Sequence, residues 1–278
     1  MSPSPVPAVV ASVEAKREAF QRLHRAGCFV IPNPWDLGSA RYLVSLGFPA
    51  LATTSSGFAW SRGRPDNGVT LEEALRHLGE MAAGVEVPVN ADFEGGFAVE
   101  PARVAENVRR AVATGVAGLS IEDSTGETAS PLFEFPLAVE RVRAAVSAVA
   151  GTGTLLVARS EGFIAGRPDL AETLRRLTAY AQAGADCLYA PGLRSRDDIA
   201  AVVRAVAPKP VNVLVGSDWT SVSELAALGV RRISVGGALA RAAWGGFMAA
   251  ASEIASAGTF KGLASAAPSA TVDGLFKR

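Results

Sequence analysis

Two carboxylates, Asp92 and Glu94, close an apolar run in VNADFEGGF (89–97), just ahead of two glycines. Side chains alternate across a strand, so Asn90, Asp92 and Glu94 share one face. Further on, SIEDS (120–124) repeats the device. There Glu122 shares a face with Ser120, while Asp123 points the other way and reads as structural. If the two segments are adjacent strands, Asp92, Glu94 and Glu122 converge. Three like charges in one cleft repel unless something positive lies among them. An all-oxygen set without cysteine or histidine suits a hard cation, Mg2+ or Mn2+, held partly through water. The plainer reading is that the acids cap the next helix. Pro101 marks that helix's first turn, however, which leaves Glu94 too early in the chain to cap it.

Arg159, at the end of TLLVARS (154–160), is the cation in the corresponding place. It can pair with these acids, or it can fork onto a substrate carboxylate or phosphonate. In TTSSGFAW (53–60), Gly57 permits close backbone approach, and the amides of Gly57 and Phe58 could face a developing oxyanion. A glycine there would equally serve a tight turn. Other chemistries are disfavoured. The two histidines, His24 and His77, fall inside helical patterns, which argues against a histidine base or a zinc site. Neither Lys16, Lys209, Lys261 nor Lys277 ends a strand, which argues against a Schiff base. Metal and Arg159 electrostatics must then do most of the work. The developing enolate of an α-keto acid fits that equipment.

The elements that must position these residues alternate in type. Strand patterns are CFVIPN (28–33), ALATTSS (50–56), VPVNAD (87–92), GLSIED (118–123), TLLVARS (154–160), CLYAP (187–191), PVNVLV (210–215) and RISVGG (232–237). Several are continuously apolar, as in a parallel sheet covered on both faces. Helical patterns fall between them, at 71–84, 101–115, 169–184 and 195–207 among others. Eight such pairs behind a leading helix predict a (β/α)8 barrel spanning 1–278, with residues 1–14 as a flexible lead-in. A doubly wound sheet is the alternative, but no GxGxxG follows the first strand. In a barrel the active site lies at the C-terminal ends of the strands, where the acids and Arg159 fall. Gly236 and Gly237 after the last strand could cradle a phosphate, although a plain turn is the favoured reading. The Ala-rich helical segment and tail at 238–278, with Trp244 and Phe247, could be core or a subunit interface.

Lys plus Arg and Asp plus Glu number 27 each, and no basic patch or amphipathic anchor is evident. This predicts neither a nucleic-acid nor a membrane partner. Cys28 and Cys187 lie in apolar runs without CxxC spacing and read as reduced thiols. With no signal peptide or membrane-length apolar run, the expectation is a cytoplasmic protein.

Taken in order, NPWD (33–36), TTSSGFAWSRGRPD (53–66), NADFEGGF (90–97), IEDS (121–124), ARSEGFI (158–164) and PVNVL (210–214) resemble the isocitrate lyase/phosphoenolpyruvate mutase superfamily. The resemblance implies a barrel, often with its eighth helix swapped between subunits, in homodimers or homotetramers. It also implies Mg2+ and a substrate that is, or yields, an α-keto acid. Residue by residue, it assigns Ser56, Gly57 and Phe58 to substrate oxygens and Asp66 to the edge of the metal network. Asp92, Glu94 and Glu122 match the metal carboxylates, with Glu94 replacing the second Asp of some branches. Arg159 matches the substrate clamp, and Asn212 would line the mouth.

One departure narrows the activity. The lyases carry a KKCGH- or KRCGH-type gating loop after the fourth strand, and the mutases place a lysine and an asparagine there. Here the stretch is DSTGETASPLFEF (123–135), with no Cys, Lys, His or Asn. This argues against isocitrate or methylisocitrate lyase and against ordinary phosphonopyruvate mutase activity. The expectation is a Mg2+-dependent lyase or decarboxylase acting on a small 2-oxo or 2-hydroxy acid, with an oxaloacetate-like substrate favoured. P–C bond chemistry of the phosphonomutase kind is one alternative. A non-catalytic keto-acid-binding protein is the other.

Overall fold

The computed structural model describes residues 11–277. Helix α1 (Val13–Arg25) leads into β1 (Phe29–Ile31), α2 (Leu37–Ser45) and β2 (Leu51–Ala52). Two helices, α3 (Ser55–Ser61) and α4 (Leu71–Gly84), precede β3 (Val89–Asp92). Then come α5 (Pro101–Ala113), β4 (Gly118–Glu122), α6 (Phe135–Val149), β5 (Leu155–Arg159) and α7 (Leu170–Gln182). The order continues with β6 (Cys187–Tyr189), α8 (Arg196–Val206), β7 (Val211–Leu214), α9 (Val222–Ala227), β8 (Arg232–Ser234) and α10 (Ala238–Ala257). A 3-10 turn (Lys261–Ser265) and α11 (Ser269–Gly274) end the described chain. The expected lead-in lies largely outside the described residues, and α1 already starts at Val13.

The eight strands are all parallel and pair in sequence order from β2 to β8, with β1 beside β8. At the remaining seam, between β1 and β2, the Ala52 amide donates to the Pro32 carbonyl at 3.0 Å. Asn33 fastens the same seam. Its Nδ2 donates to the Thr53 carbonyl at 2.9 Å, and its Oδ1 accepts from the amides of Val235 at 2.9 Å and Gly236 at 2.8 Å. The chain is a nearly closed (β/α)8 barrel.

Strand alternation sorts side chains between two cores. Leu119 and Ile121 of β4, Leu156 and Ala158 of β5, and Val211 and Val213 of β7 face outward into the main apolar cluster under the helices. Helix α5 meets them with Val104, Val108, Ala111 and Val112, one apolar stripe at helical spacing. Each such valine contributes roughly 1.5–3 kcal/mol on burial. The inward-facing residues are smaller and more polar, including Asn90, Ser120, Asn212, Arg232 and Ser234, all buried. Phe20 of α1 plugs the bottom against Phe29, Ile31, Ala50, Ala52 and Ala117. A Cβ at residue 118 would lie 2.5 Å from the Phe20 ring and 2.8 Å from Asn90 Oδ1, so only glycine fits there.

Two elements differ from the sequence expectation. β2 stops at Ala52, because Thr54 turns its Oγ1 onto the Gly57 amide and caps α3, converting the expected strand end into helix. Helix α10 does not behave as a barrel helix. Of its 20 residues Ala240 is the buried one, while Leu239, Trp244, Phe247, Met248 and Ile254 are exposed.

Candidate active site

The C-terminal ends of β3, β4 and β5 bring their polar residues together around one guanidinium. The β4–β5 register sets Glu122 beside Arg159, and the β3–β4 register sets Asp92 beside Ser120. Arg159 Nη1 lies 2.7 Å from Asp92 Oδ1 and 3.3 Å from Glu122 Oε2, while its Nε donates to Glu161 Oε1 at 2.8 Å. Its guanidinium carbon sits 5.1 Å from the centre of the Tyr189 ring. Three carboxylates share one cation.

Neighbouring bonds fix this cluster. Asp92 Oδ2 accepts from the Ser55 amide at 3.0 Å and the Ser55 hydroxyl at 2.9 Å. The Asp92 amide in turn donates to Thr53 Oγ1 at 2.9 Å, so β2 and α3 aim the Asp92 carboxylate. Asp123 points away from the mouth, as the strand alternation requires. Its Oδ1 accepts the Glu161 amide at 2.8 Å. Its Oδ2 accepts Tyr180 Oη–H at 2.6 Å and Arg176 Nη1 at 3.1 Å. Asp123 thereby locks the backbone of Glu161, which holds Arg159.

Glu94 stands apart from that ring. Its backbone has φ 47°, a left-handed conformation uncommon for a residue with a side chain. Its Oε1 is buried without a hydrogen-bond partner among the described residues. Burial, together with Asp92 and Asp66, pushes its carboxyl up to about 8. Burial and the surrounding acids likewise raise Glu122 and Glu161, outweighing the opposing pull of Arg159. Asp66 is raised too, through burial and Asp92. The site holds more carboxyl groups than its one arginine can keep ionised.

Two cavities open here. One, of about 180 Å³, is the barrel mouth, walled by Ser55, Ser56, Asp66, Asp92, Arg159 and Tyr189 and floored by Arg232 and Ser234. The other, of about 360 Å³, lies beside it between the 94–99 and 122–133 segments and takes Glu94, Glu122 and Arg141 into its wall. The 123–135 stretch folds on itself there through a Ser124–Leu132 bridge.

Several sequence expectations need correction. The amides of Gly57 and Phe58 are not free to face an oxyanion, since they donate to Thr54 Oγ1 at 3.3 Å and the Thr54 carbonyl at 3.0 Å. Gly57 is instead a packing residue, where a Cβ would lie 2.7 Å from the Thr54 methyl and 3.0 Å from Trp35. Phe58 stacks on His77, with ring centres 4.0 Å apart. Ser56 does line the mouth. Asn212 lies below it, 1% exposed, with its Nδ2 donating to Ser234 Oγ at 2.9 Å. Leu214 takes the mouth position on β7, two residues along. Gly236 spends its amide on Asn33, which agrees with the plain-turn reading. Glu161, Ser55, Tyr189 and Arg232 received no role from the sequence. Glu161 was visible in ARSEGFI, but nothing in its spacing showed that it folds back onto Arg159.

Asp92, Glu94 and Glu122 do not form a closed ligand shell. Among the described residues no three His, Cys, Asp or Glu side chains are gathered closely enough to enclose an ion. Arg159 stands between Asp92 and Glu122 instead. The donor chemistry nevertheless fits a hard divalent cation, with oxygen ligands, more carboxyl groups than one arginine balances and a Glu94 oxygen buried without a partner among the described residues. Asp92, Glu94 and Glu122 would hold it, with water completing the coordination.

Comparison with known proteins agrees with this architecture. Residues 20–255 match the family model described as phosphoenolpyruvate phosphomutase. A Burkholderia cenocepacia J2315 protein, whose solved structure is described only as a lyase/mutase, superposes with a TM-score of 0.92 at 48% identity, covering 95% of this chain and 98% of its own. Oxaloacetate decarboxylase of Bradyrhizobium diazoefficiens is 30% identical over 203 residues, 69% of this chain and 68% of the relative. A phosphonopyruvate hydrolase solved with oxalate and Mg2+ gives a TM-score of 0.80 at 25% identity, covering 93% of this chain and 95% of its own. The chain thus belongs to the phosphoenolpyruvate phosphomutase family, within the isocitrate lyase/phosphoenolpyruvate mutase superfamily of lyases and mutases.

Proposed function

We propose that this protein is a Mg2+-dependent lyase or decarboxylase that cleaves a C–C bond of a small 2-oxo or 2-hydroxy acid through an enolate, with an oxaloacetate-like substrate favoured. The observation that carries this reading is Arg159, set among Asp92, Glu122 and Glu161 on the wall of a cavity of about 180 Å³. That volume falls below the usual range for drug-sized ligands and suits a small acid. A bound divalent cation would supply Lewis-acid stabilisation of the developing oxyanion.

The chain's own residues do the rest. Arg159, held by Glu161 on one edge, orients the substrate carboxylate through donors that its acid partners leave free. Ser55 keeps Asp92 in place, and Tyr189 covers the guanidinium. In decarboxylation the bond from the carboxylate carbon to the carbon beside the ketone breaks, and CO2 leaves. The electron pair passes to the ketone oxygen, and the enolate carbon then takes a proton. This path needs no lysine imine, and no lysine lines the mouth among the described residues. The B. diazoefficiens relative supports oxaloacetate as the first substrate to offer.

P–C bond chemistry is the second reading, favoured by the phosphoenolpyruvate phosphomutase family match. The test offers oxaloacetate and phosphonopyruvate, with Mg2+ or with chelator, and follows 1H and 31P signals. Metal-dependent pyruvate formation from oxaloacetate is the expected result. Turnover of phosphonopyruvate alone would replace the first reading with the second.

A further inference from the structure

The barrel-mouth cavity is lined by two guanidiniums in opposite electrostatic circumstances. Arg159 is enclosed by three carboxylates. Arg232, the first residue of β8, is 2% exposed and reaches across the barrel interior with no carboxylate partner among the described residues. Its Nε donates to Asn212 Oδ1 at 2.8 Å and its Nη1 to Asn90 Oδ1 at 3.3 Å. Both acceptors are neutral amides from β7 and β3, so they fix the fork without cancelling its charge. Nη2 carries no hydrogen bond to the protein among the described residues. The titratable groups around it do not supply an anion near neutral pH. Burial raises the Cys187 thiol, pushes Tyr189 up to about 12 and pushes His24 down to about 3.

A buried charge held only by dipoles is expensive unless a counter-ion joins it. We propose that Arg232 reads the second acid group of the substrate, so that the cavity selects dianionic acids over monoanionic ones of the same length. Asn90 and Asn212 are its positioning residues, and Ser234 and Tyr189 border the path from the mouth. The Arg232 fork on the floor and Arg159 on the wall would hold a short diacid at both ends. This rests on reading the cavity as an acid-binding site and adds what that site selects for.

The test uses the full-length protein with saturating Mg2+ and compares succinate with butyrate, which differ by a carboxylate in place of a methyl. Binding is followed by calorimetry or by ligand-observed NMR. At least tenfold tighter binding of succinate is expected in the unmodified protein. In Arg232→Met that ratio should collapse to within twofold with butyrate binding unchanged, and Arg232→Lys should retain an intermediate preference. A ratio near one in the unmodified protein overturns the proposal without any variant. So does a folded Arg232→Met that keeps the tenfold preference. If Arg232→Met fails to fold, the unmodified ratio and Arg232→Lys still decide the matter, since a lysine variant with the full preference would show that the fork is not read. Oxaloacetate turnover, measured alongside, separates the two readings. Arg232-dependent succinate binding without turnover supports this site and removes the decarboxylase assignment, whereas turnover with no Arg232-dependent preference does the reverse.

Discussion

Arg159 has three acids within ion-pairing distance, and two of them, Asp92 and Glu161, should fail differently when changed. Asp92 touches Arg159 and Ser55 at once and is one of the acids proposed to hold the metal. Asp92→Asn should therefore abolish metal-dependent turnover, by 100-fold or more on the scale of lost electrostatic stabilisation. Its thermal midpoint should stay within a few degrees, checked by kinetics beside a melting curve. An active Asp92→Asn would remove the carboxylate from the site. Among the described residues the Glu161 side chain reaches only Arg159's Nε, so Glu161→Gln should leave the fold intact and lower kcat/KM by about tenfold, mostly through KM. An effect confined to kcat would show that Glu161 acts on the reaction rather than on the arginine.

At the scale of elements, Asp123 ties the end of β4 to α7 and to the β5–α7 loop through Arg176, Tyr180 and the Glu161 amide. All of these partners are buried. Asp123→Asn should cost about 3 kcal/mol, the scale for breaking a buried charged network, read from denaturant unfolding. Helix α1 contributes a pH dependence. His24 Nδ1 donates to the Phe20 carbonyl at 2.8 Å, leaving Nε2 buried and unpartnered among the described residues. Burial then holds the ring neutral in the folded state, down to about 3 from 6.5. The unfolded chain binds this proton first as pH falls. Stability is therefore full above pH 6.5 and drops by about 1.4 kcal/mol per pH unit below it, until the folded ring also titrates. His24→Leu should flatten that limb between pH 6.5 and 4. An unchanged slope would assign the acid sensitivity elsewhere, His77 being the next group, since burial pushes it down to about 4.

At the scale of the whole molecule, α10 leaves large apolar side chains without cover, Phe247 being 62% exposed and Met248 59%. An apolar groove of about 520 Å³ runs along it, between Trp60 and Trp244. Large apolar side chains clustered in the open on one helix face are the kind of surface that association covers. We propose that this face meets a second copy of the chain, as the superfamily resemblance implied. Phe247→Glu should shift the protein to monomer in sedimentation or light scattering, since burying one such ring is worth roughly 1.5–3 kcal/mol and burying a carboxylate opposes it. A wild-type protein that is monomeric at micromolar concentration would contradict this.

The fold was legible in the sequence because its signals are local. Continuous apolar runs such as CFVI (28–31) and LLVA (155–158) read as strands covered on both faces, and Pro101 and Gly115 punctuate α5 at both ends. Alternation alone also turned Asp92 and Glu122 to the mouth and Asp123 away from it. What needed the tertiary structure was everything set by distance across strands. The sequence expected three carboxylates around a metal and left Arg159 either to pair with them or to grip the substrate; the barrel sets Arg159 between two of the acids and turns Glu94 toward a neighbouring cavity. It expected Asn212 at the mouth, whereas strand tilt and shear place that residue one layer down. It gave Arg232 no role, because an arginine opening a strand is unremarkable until the barrel closes around it and no acid arrives. Local pattern decides which face a side chain takes, and closure of the barrel decides which charges meet there.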